Sequence, residues 1–186
     1  MGMKSQDIVV LLKLISLEQE ERAPIRPGGH LEDPYSVRSL EAALGISKTE
    51  INASINRSVS SGLAIKDRES GRAKPHRRNL SNFIAHGLKF VFPVKPGAMA
   101  RGIPTAFAAA PLKKLLISGG QYIYVWPYAK GKEMGQSVEP LFKSVPEAVQ
   151  HDDHLYEYLA LVDAIRLGHQ REVGFATDRL LGLLKK

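Results

Sequence analysis

The chain has 186 residues, enough for one domain or for a small domain with an appended one, and 44% of them are hydrophobic, which suffices for a buried core. It contains no cysteine, which excludes disulfides and thiolate zinc sites. No apolar run approaches the roughly 20 residues that span a membrane. Lys13 also interrupts the apolar stretch near the N-terminus, so the sequence predicts a cytoplasmic protein with no membrane partner.

The net charge of +7 is concentrated in one part of the sequence. Residues 48–101 contain 11 Lys and Arg against 3 Asp and Glu, whereas residues 1–47 carry a net −2 and residues 102–186 a net +1. A localised basic segment is typical of proteins that bind polyanions, because neutralising phosphates releases condensed counterions. A basic surface that serves only solubility is the alternative.

The N-terminal part predicts two helices separated by a loop. Residues 4–18 carry apolar side chains at helical spacing over a broad face. Three prolines and two glycines mark residues 22–34 as a loop. Ser36 is placed to cap a second helix over residues 37–44, and Gly45 is placed to end it with a positive φ.

A third helix is predicted to begin after Ser47, because Ser47 and Glu50 form an S-x-x-E capping box. Its inward stripe consists of Ile51, Ile55 and Val59. Gly62 is placed to end this helix. Residues 63–67 are then predicted to form a strand, and residues 69–79 a polar, basic loop.

The rest of the chain predicts a mixture of strands and helices. The predicted strands are residues 89–94 and 121–128, and the predicted helices are residues 80–88, 152–168 and 171–186. The segment 95–111, rich in Pro, Gly and Ala, is assigned to no element. The expected fold class is therefore α+β, mainly α.

One stretch, SLEAALGISKTEINASINRSVSSGLAIKD at residues 39–67, links these elements in a known order. It has an apolar helix, Leu-Gly-Ile-Ser at a turn, Ile51 six residues after Gly45, and Gly-Leu before a strand. The chain thereby resembles the winged helix-turn-helix transcriptional regulators, MarR-like or related bacterial repressors, over roughly residues 4–80. The resemblance implies a winged-helix DNA-binding domain at residues 1–87, with a C-terminal dimerisation or partner- and effector-binding region at residues 88–186. Glu41 departs from the pattern, which usually has a small residue there.

The outward face of the third helix is the predicted base-reading surface. Its candidate DNA contacts are Ser47, Lys48, Thr49, Asn52, Ala53, Asn56 and Arg57. Asn pairs with the edge of adenine and Arg forks onto guanine, while the positive end of the helix attracts phosphate. Asn, Ser and Thr are weak helix formers, so helix propensity does not explain their presence. A solvated polar helix is the alternative.

The basic loop is the predicted wing, over residues 63–80. Its candidate phosphate contacts are Arg68, Arg72, Lys74, His76, Arg77 and Arg78. Arg72 and Lys74 lie next to Gly71, so we expect them to project farthest towards the DNA. A loop that is simply solvated is the alternative.

The last two helices are predicted to join two copies of the chain, because palindromic operators favour dimers and both helices are rich in apolar residues. Those residues are Leu155, Leu159, Leu161, Val162 and Ile165 in one helix and Leu180, Leu181, Leu183 and Leu184 in the other. The predicted function is a sequence-specific regulator of double-stranded DNA, a repressor acting as a homodimer. An antitoxin-type autoregulator whose C-terminal region binds a partner toxin is one alternative, and a winged helix used for protein–protein assembly is another.

Nothing in the sequence argues for an enzyme, a cofactor or a metal site. The motif HDDH at residues 151–154 has metal-ligand residue types, but neighbouring residues at a helix start point in different directions, and Asp152 or Asp153 suits a helix cap. The segment ISGGQ at residues 117–121 is too short for a nucleotide-binding fingerprint. The histidines are scattered, with no nucleophile–base–carboxylate pattern.

Overall fold

The computed structural model describes residues 2–22, 32–115 and 122–186. These residues are 55% helical and form two small sheets, so the α+β, mainly α class is confirmed. Most of the predicted loop at residues 22–34, and the segment ISGGQ, lie outside the described residues. Within the described ranges, no helix has the length and apolar character needed to cross a membrane.

The elements follow one another in this order. The first half contains α1 (Ser5–Arg22), α2 (Val37–Leu44), α3 (Lys48–Ser60), β1 (Ala64–Lys66), β2 (Ala73–Pro75), α4 (Arg77–His86) and α5 (Leu88–Val91). The second half contains β3 (Met99–Thr105), β4 (Tyr124–Pro127), β5 (Glu133–Ser137), α6 (Val145–Ala148), α7 (Asp153–Leu167) and α8 (Gln170–Leu184). Short 3₁₀ turns occupy Ala106–Ala108 and Val149–His151.

α1 lies at the centre of the molecule. All residues from Gln6 to Leu17 are buried, which means that the helix is covered on every side. It packs against α3, α7 and β2. The predicted first helix is confirmed, but its burial is wider than the one face that the periodicity indicated, as expected for a helix in the middle of a core.

The connection from α2 to α3 is fixed by local signals. The Ser36 side chain caps α2 by accepting from the backbone amide three residues on, at 3.1 Å. Gly45 ends α2 with φ +65°, and the Ser47 side chain accepts from the Glu50 amide at 3.3 Å. The second half of the predicted capping box is absent, because the Glu50 carboxylate instead accepts from Gln6 of α1 at 2.5 Å. The predicted starts of both helices are confirmed.

β1 and β2 form an antiparallel hairpin, with Ala64 opposite Pro75 and Lys66 opposite Ala73. Gly71 takes φ +70° in the turn between them. The predicted loop over residues 69–79 is therefore too long, because its second half is β2 followed by the first turn of α4.

β3, β4 and β5 close into a three-stranded barrel. β3 pairs antiparallel with both of the other strands, and β4 pairs parallel with β5. The strands approach so closely at Gly102 that a Cβ there would lie 1.9 Å from the Trp126 carbonyl oxygen. The predicted strand at residues 121–128 is confirmed in part, and the unassigned segment contains β3.

A buried carboxylate attaches this barrel to α7. Asp163 accepts hydrogen bonds from Thr105 at 2.7 Å, Trp126 at 2.6 Å and Arg166 at 2.9 Å. Burial raises the pKa of Asp163, while these donors oppose the shift. Such a fully bonded group fixes the two parts relative to each other.

The predicted strand at residues 89–94 is wrong, since α5 forms a single helical turn there. Leu88 is fully buried, but Phe90 and Val91 are 74% and 51% exposed. No strand pairs with this segment among the described residues. Pro93 also lacks the amide hydrogen that a central strand would need.

One hydrophobic core runs through both halves of the chain. The expected boundary at residues 87 and 88 therefore does not separate two cores. The leucine-rich stripe on which we based dimerisation lies inside this core: Leu155, Leu159, Leu161, Val162, Ile165, Leu180 and Leu184 are at most 2% exposed. Leu181 and Leu183 are partly buried. That basis for a dimer is wrong, because these side chains pack within a single chain.

Candidate nucleic-acid interface

α3 presents one polar face to solvent. Ser47, just before the helix, is exposed, as are Lys48, Thr49, Asn52 and Asn56, while Ala53 is partly exposed. Lys48, Asn52 and Asn56 are four residues apart and therefore lie along one side of the helix. Glu50, the acidic residue of α3, lies about 160° around the helix from Asn52. The face therefore carries no carboxylate of its own helix, although Glu41 of α2 lies 3.9 Å from the Lys48 ammonium.

Arg57 does not belong to this face, which corrects the sequence prediction. Each residue turns about 100° around the helix axis, so Arg57 points away from Asn56 and towards α1. Its side chain is 8% exposed and forms a two-bond ion pair with Asp7, whose side chain is fully buried. Arg57 is thus a structural residue that holds α3 against α1.

The pair with Asp7 is part of a small buried cluster. Arg57 donates to the two carboxylate oxygens at 3.0 and 2.7 Å, and Ser54 donates at 2.7 Å. The hydrogen bonds from Arg57 to Asp7 raise the pKa of Arg57 against the opposing effect of burial. Asp7 lies in the apolar stretch of α1, and a charge there requires a partner. An acidic residue within an apolar stretch is therefore the sequence signal that indicates a buried partner such as Arg57.

Arg72 is also placed differently from the prediction. Its guanidinium lies 3.2 Å from the Asp33 carboxylate and 3.8 Å from that of Glu21, and 4.5 Å above the ring of Tyr35. Arg72 is therefore drawn back towards α1 and does not project farthest from the hairpin. Burial raises the pKa of Tyr35, and the negative charge of the nearby Glu21 adds to the effect.

Lys74 is exposed, as expected of a wing residue, but it too has a carboxylate nearby. Its ammonium lies 3.6 Å from the carboxylate of Asp67 at the start of the turn. The same carboxylate accepts from the side chain and the amide of Ser70 at 2.6 and 2.9 Å, and these bonds lower the pKa of Asp67. Arg68, in the turn itself, is exposed.

His76, Arg77 and Arg78 belong to the start of α4 and not to the wing, since the strand pairing ends at Pro75. His76 caps α4 by accepting from the Asn79 amide at 3.2 Å. Arg77 is partly buried and donates to the Glu18 carboxylate at 2.5 Å and to a backbone carbonyl of α8 at 2.9 Å. Arg78 is exposed.

Lys66 is a candidate that the sequence analysis missed. It is exposed at the end of β1, next to Arg68, and has no ion-pair partner in the described ranges. Asp67 and Gly71 bound the turn in the sequence, so Lys66 could have been placed beside it in the same way as Arg72. The candidate interface therefore consists of the α3 face together with Lys66 and Arg68.

The HDDH motif has a structural role. Asp152 caps α7 by accepting from the Leu155 amide at 2.9 Å, and it also accepts from Lys13 at 2.7 Å and from Ser16. Burial opposes ionisation, but these donors hold the pKa of Asp152 below its ordinary value. Among the residues that the structure describes, no group of His, Asp and Glu side chains is arranged to hold a metal ion.

Comparison with known proteins adds no relative to this picture. No protein-family model, curated protein or solved structure matches the chain. The functional argument therefore depends on the geometry of the chain itself.

Proposed function

We propose that the chain is a sequence-specific regulator that binds double-stranded DNA through a winged helix, and that it acts as a repressor. α3 is the helix that enters the major groove, and the β1–β2 hairpin is the wing. The observation that carries the proposal is the polar face of α3, which follows a tight turn at Gly45 and lies next to a basic hairpin. Helix, turn, helix and hairpin in this order are the parts of a winged helix.

The α3 face suits the major groove because of its side-chain chemistry. Asn52 and Asn56 each carry an amide that can donate and accept at the same time, which matches the edge of adenine. Lys48 and Thr49 are in the first turn, the part of a recognition helix that approaches the base edges in the groove. Ala53 keeps the face narrow enough for a thymine methyl group to approach.

The buried Asp7–Arg57 pair supports this function indirectly. Base readout requires that the reading side chains are held in one position relative to the rest of the protein. A buried ion pair with defined geometry provides that restraint between α3 and the central helix.

In the wing, Lys66 and Arg68 are assigned the phosphate contacts. Both are exposed cations that make no ion pair with the described residues, whereas Arg72 and Lys74 have carboxylates nearby. A cation that already has a carboxylate partner gains less from a phosphate. Arg72 and Lys74 therefore contribute less to DNA affinity than their number suggests.

A homodimer stays a prediction, since the leucines that suggested it lie in the core. Measuring the molar mass by light scattering, with and without DNA, tests it. A monomer on DNA would mean that the operator contains a single site.

Selection of genomic fragments with the purified protein tests the proposed function. We expect enrichment of a short shared sequence that survives competition with random duplex. Failure to enrich any sequence, with only salt-sensitive binding to all duplexes, would contradict sequence-specific regulation. Failure to bind DNA at all would favour a winged helix used for protein–protein assembly.

A further inference from the structure

An open groove with a volume of about 590 Å³ lies between α2 and the connection from α6 to α7. Lys13 of α1 and Asp152 lie at its deep end, and Arg38 of α2 lies at its exposed side. This volume falls within the range of small-molecule sites, which is roughly 300–1,000 Å³. The DNA-reading face of α3 is not part of the lining.

The groove exists because its walls carry small side chains. Ala42 and Ala43 line the α2 side, and Ala148 of α6 lines the opposite side. Arg38 and Ala42 are four residues apart, so they share one face of α2. Ala42 and Ala43 are exposed. Larger side chains at these two positions would have filled the groove, so their small size is what keeps it open.

The deep end of the groove offers unused hydrogen-bond donors. Lys13 is nine-tenths buried, and its ammonium donates to Asp152 at 2.7 Å. An ammonium group has three donors, so two remain without a partner among the described residues. The Asp152 carboxylate has little acceptor capacity left, because Ser16 and the Leu155 amide also donate to it.

Arg38 adds a second cation. Its guanidinium makes no ion pair or hydrogen bond with any side chain in the described ranges, and it is exposed to solvent. The lining also includes Glu32, which is exposed as Arg38 is, so solvent screens both of these charges. The charge of Asp152 is balanced by Lys13 and by the start of α7. The two cations and two carboxylates of the lining thus balance, and the free N–H donors of Lys13 and Arg38 are what favours an anionic acceptor.

We propose that this groove binds a small organic carboxylate. The carboxylate accepts from the free donors of Lys13 and from Arg38, and its carbon skeleton lies over Ala42 and Ala148. Charge-assisted hydrogen bonds of this kind, formed at a largely buried cation, are the strong ones.

The position of the groove also gives the ligand a regulatory effect, and this part rests on the proposed function. The Ser144 hydroxyl just before α6 donates to the carbonyl of Leu44, the last residue of α2, so the two walls are already joined at one end. A ligand that joins them at the other end changes the position of α2, and with it the turn that leads into α3. The DNA affinity then depends on the ligand, because the ligand favours the position of α2 that binds the ligand more tightly.

Calorimetric titration without DNA tests the site, with succinate, citrate and inorganic phosphate as probes at constant ionic strength. We expect saturable binding of at least one of the two carboxylates. Arg38→Gln, which removes a charged donor, and Ala42→Phe, which fills the groove, should each weaken binding about tenfold or more. Both positions are exposed, so the variants should fold. Arg171→Gln, an exposed arginine on α8, is the matched control and should bind like the parent.

Three results would overturn the proposal. The first is that neither carboxylate shows saturable binding. The second is that Arg38→Gln and Ala42→Phe bind the carboxylate as tightly as the parent does. The third is that phosphate binds as tightly as the carboxylates. The regulatory part is decided by the DNA affinity of the selected duplex with and without the bound carboxylate. A chain that binds no DNA contradicts the proposed function, while the carboxylate site is still decided by its own titration.

Discussion

α1 holds α3 near its N-terminal end and the β1–β2 hairpin near its C-terminal end, and the two junctions are built differently. Towards the N-terminus, Asp7 is fully buried and forms two hydrogen bonds with Arg57. Towards the C-terminus, Glu21 and Arg72 lie 3.8 Å apart with side chains that are 56% and 41% exposed. A buried pair restrains geometry, whereas exposed pairs add little to stability. The difference suggests a fixed recognition helix and a wing whose contacts can be exchanged for phosphates.

Removing the buried pair should have the largest effect. Asp7→Ala leaves the Arg57 charge buried without a partner, so we expect the free energy of unfolding to fall by about 3–5 kcal/mol. Urea denaturation followed by circular dichroism measures it. The double variant Asp7→Leu with Arg57→Met is the control and should recover most of the loss, because both charges are then absent. A loss below about 1 kcal/mol in the single variant would mean that the junction is not held by this pair.

The wing should show its role in the salt dependence of DNA binding. Each phosphate contact adds about 0.9 to the slope of log affinity against log salt, so Lys66→Ala with Arg68→Ala should lower the magnitude of the slope by about 2. Arg72→Ala with Lys74→Ala should lower it by less, because both cations have carboxylate partners.

Titrations of a fluorescent duplex at several salt concentrations measure these slopes. Lys130→Ala with Lys132→Ala, two exposed lysines between β4 and β5, is the charge-matched control. A larger decrease in slope for the Arg72 and Lys74 variant than for the Lys66 and Arg68 variant would contradict this assignment. It would mean that Arg72 and Lys74 contact phosphates despite the carboxylates near them.

The exposed junction should matter little to stability. Arg72→Gln removes contacts with Asp33, Glu21 and the Tyr35 ring, but both carboxylates are exposed and Tyr35 is only partly buried. We therefore expect the free energy of unfolding to change by less than about 1 kcal/mol. The same urea titration measures it, beside Asp7→Ala. An equal loss in the two variants would remove the distinction between the junctions.

The smallest expected effect is the contribution of ionised Asp67 to the stability of the hairpin turn, which is lost only at acidic pH. The bonds from Ser70 lower its pKa below 3.8, so the ionised carboxylate stabilises the turn above that value. This contribution is lost as the pH falls through the lowered pKa of the folded state. Carboxyl NMR should therefore show the hairpin unchanged between pH 6 and 8, and Ser70→Ala should raise the pKa. An unaltered pKa in that variant would show that Ser70 does not restrain the turn.

Local signals explain why the helix-turn-helix region could be predicted. Ser36, Gly45 and Ser47 act within three or four residues of their own positions, and their geometry agrees with the prediction. The signals at the two ends of α7 are equally local: the helix ends at Gly168, where the predicted range ends, and its cap is Asp152, one of the two predicted candidates.

Contacts between distant parts of the chain explain the errors. The sequence near Arg57 does not show that its partner is Asp7, which is 50 residues away, so the local pattern places Arg57 on the DNA face. The sequence of α7 likewise does not show that α1, near the other end of the chain, packs against its apolar stripe, so the stripe looks free to form a dimer. The closed barrel depends on β3 pairing with two later strands, and no short pattern specifies that pairing.

The most direct test of the central claim compares base readout with general affinity. Asn52→Ala with Asn56→Ala is titrated on the selected duplex and on a scrambled duplex at the same salt concentration. Asn82→Ala, an exposed asparagine on α4, is the matched control. The proposal predicts a loss of about 1–3 kcal/mol per base contact on the selected duplex, little loss on the scrambled one, and no loss in the control. Equal affinity losses on both duplexes, or none on either, in a variant that melts normally would contradict the claim that α3 reads DNA sequence.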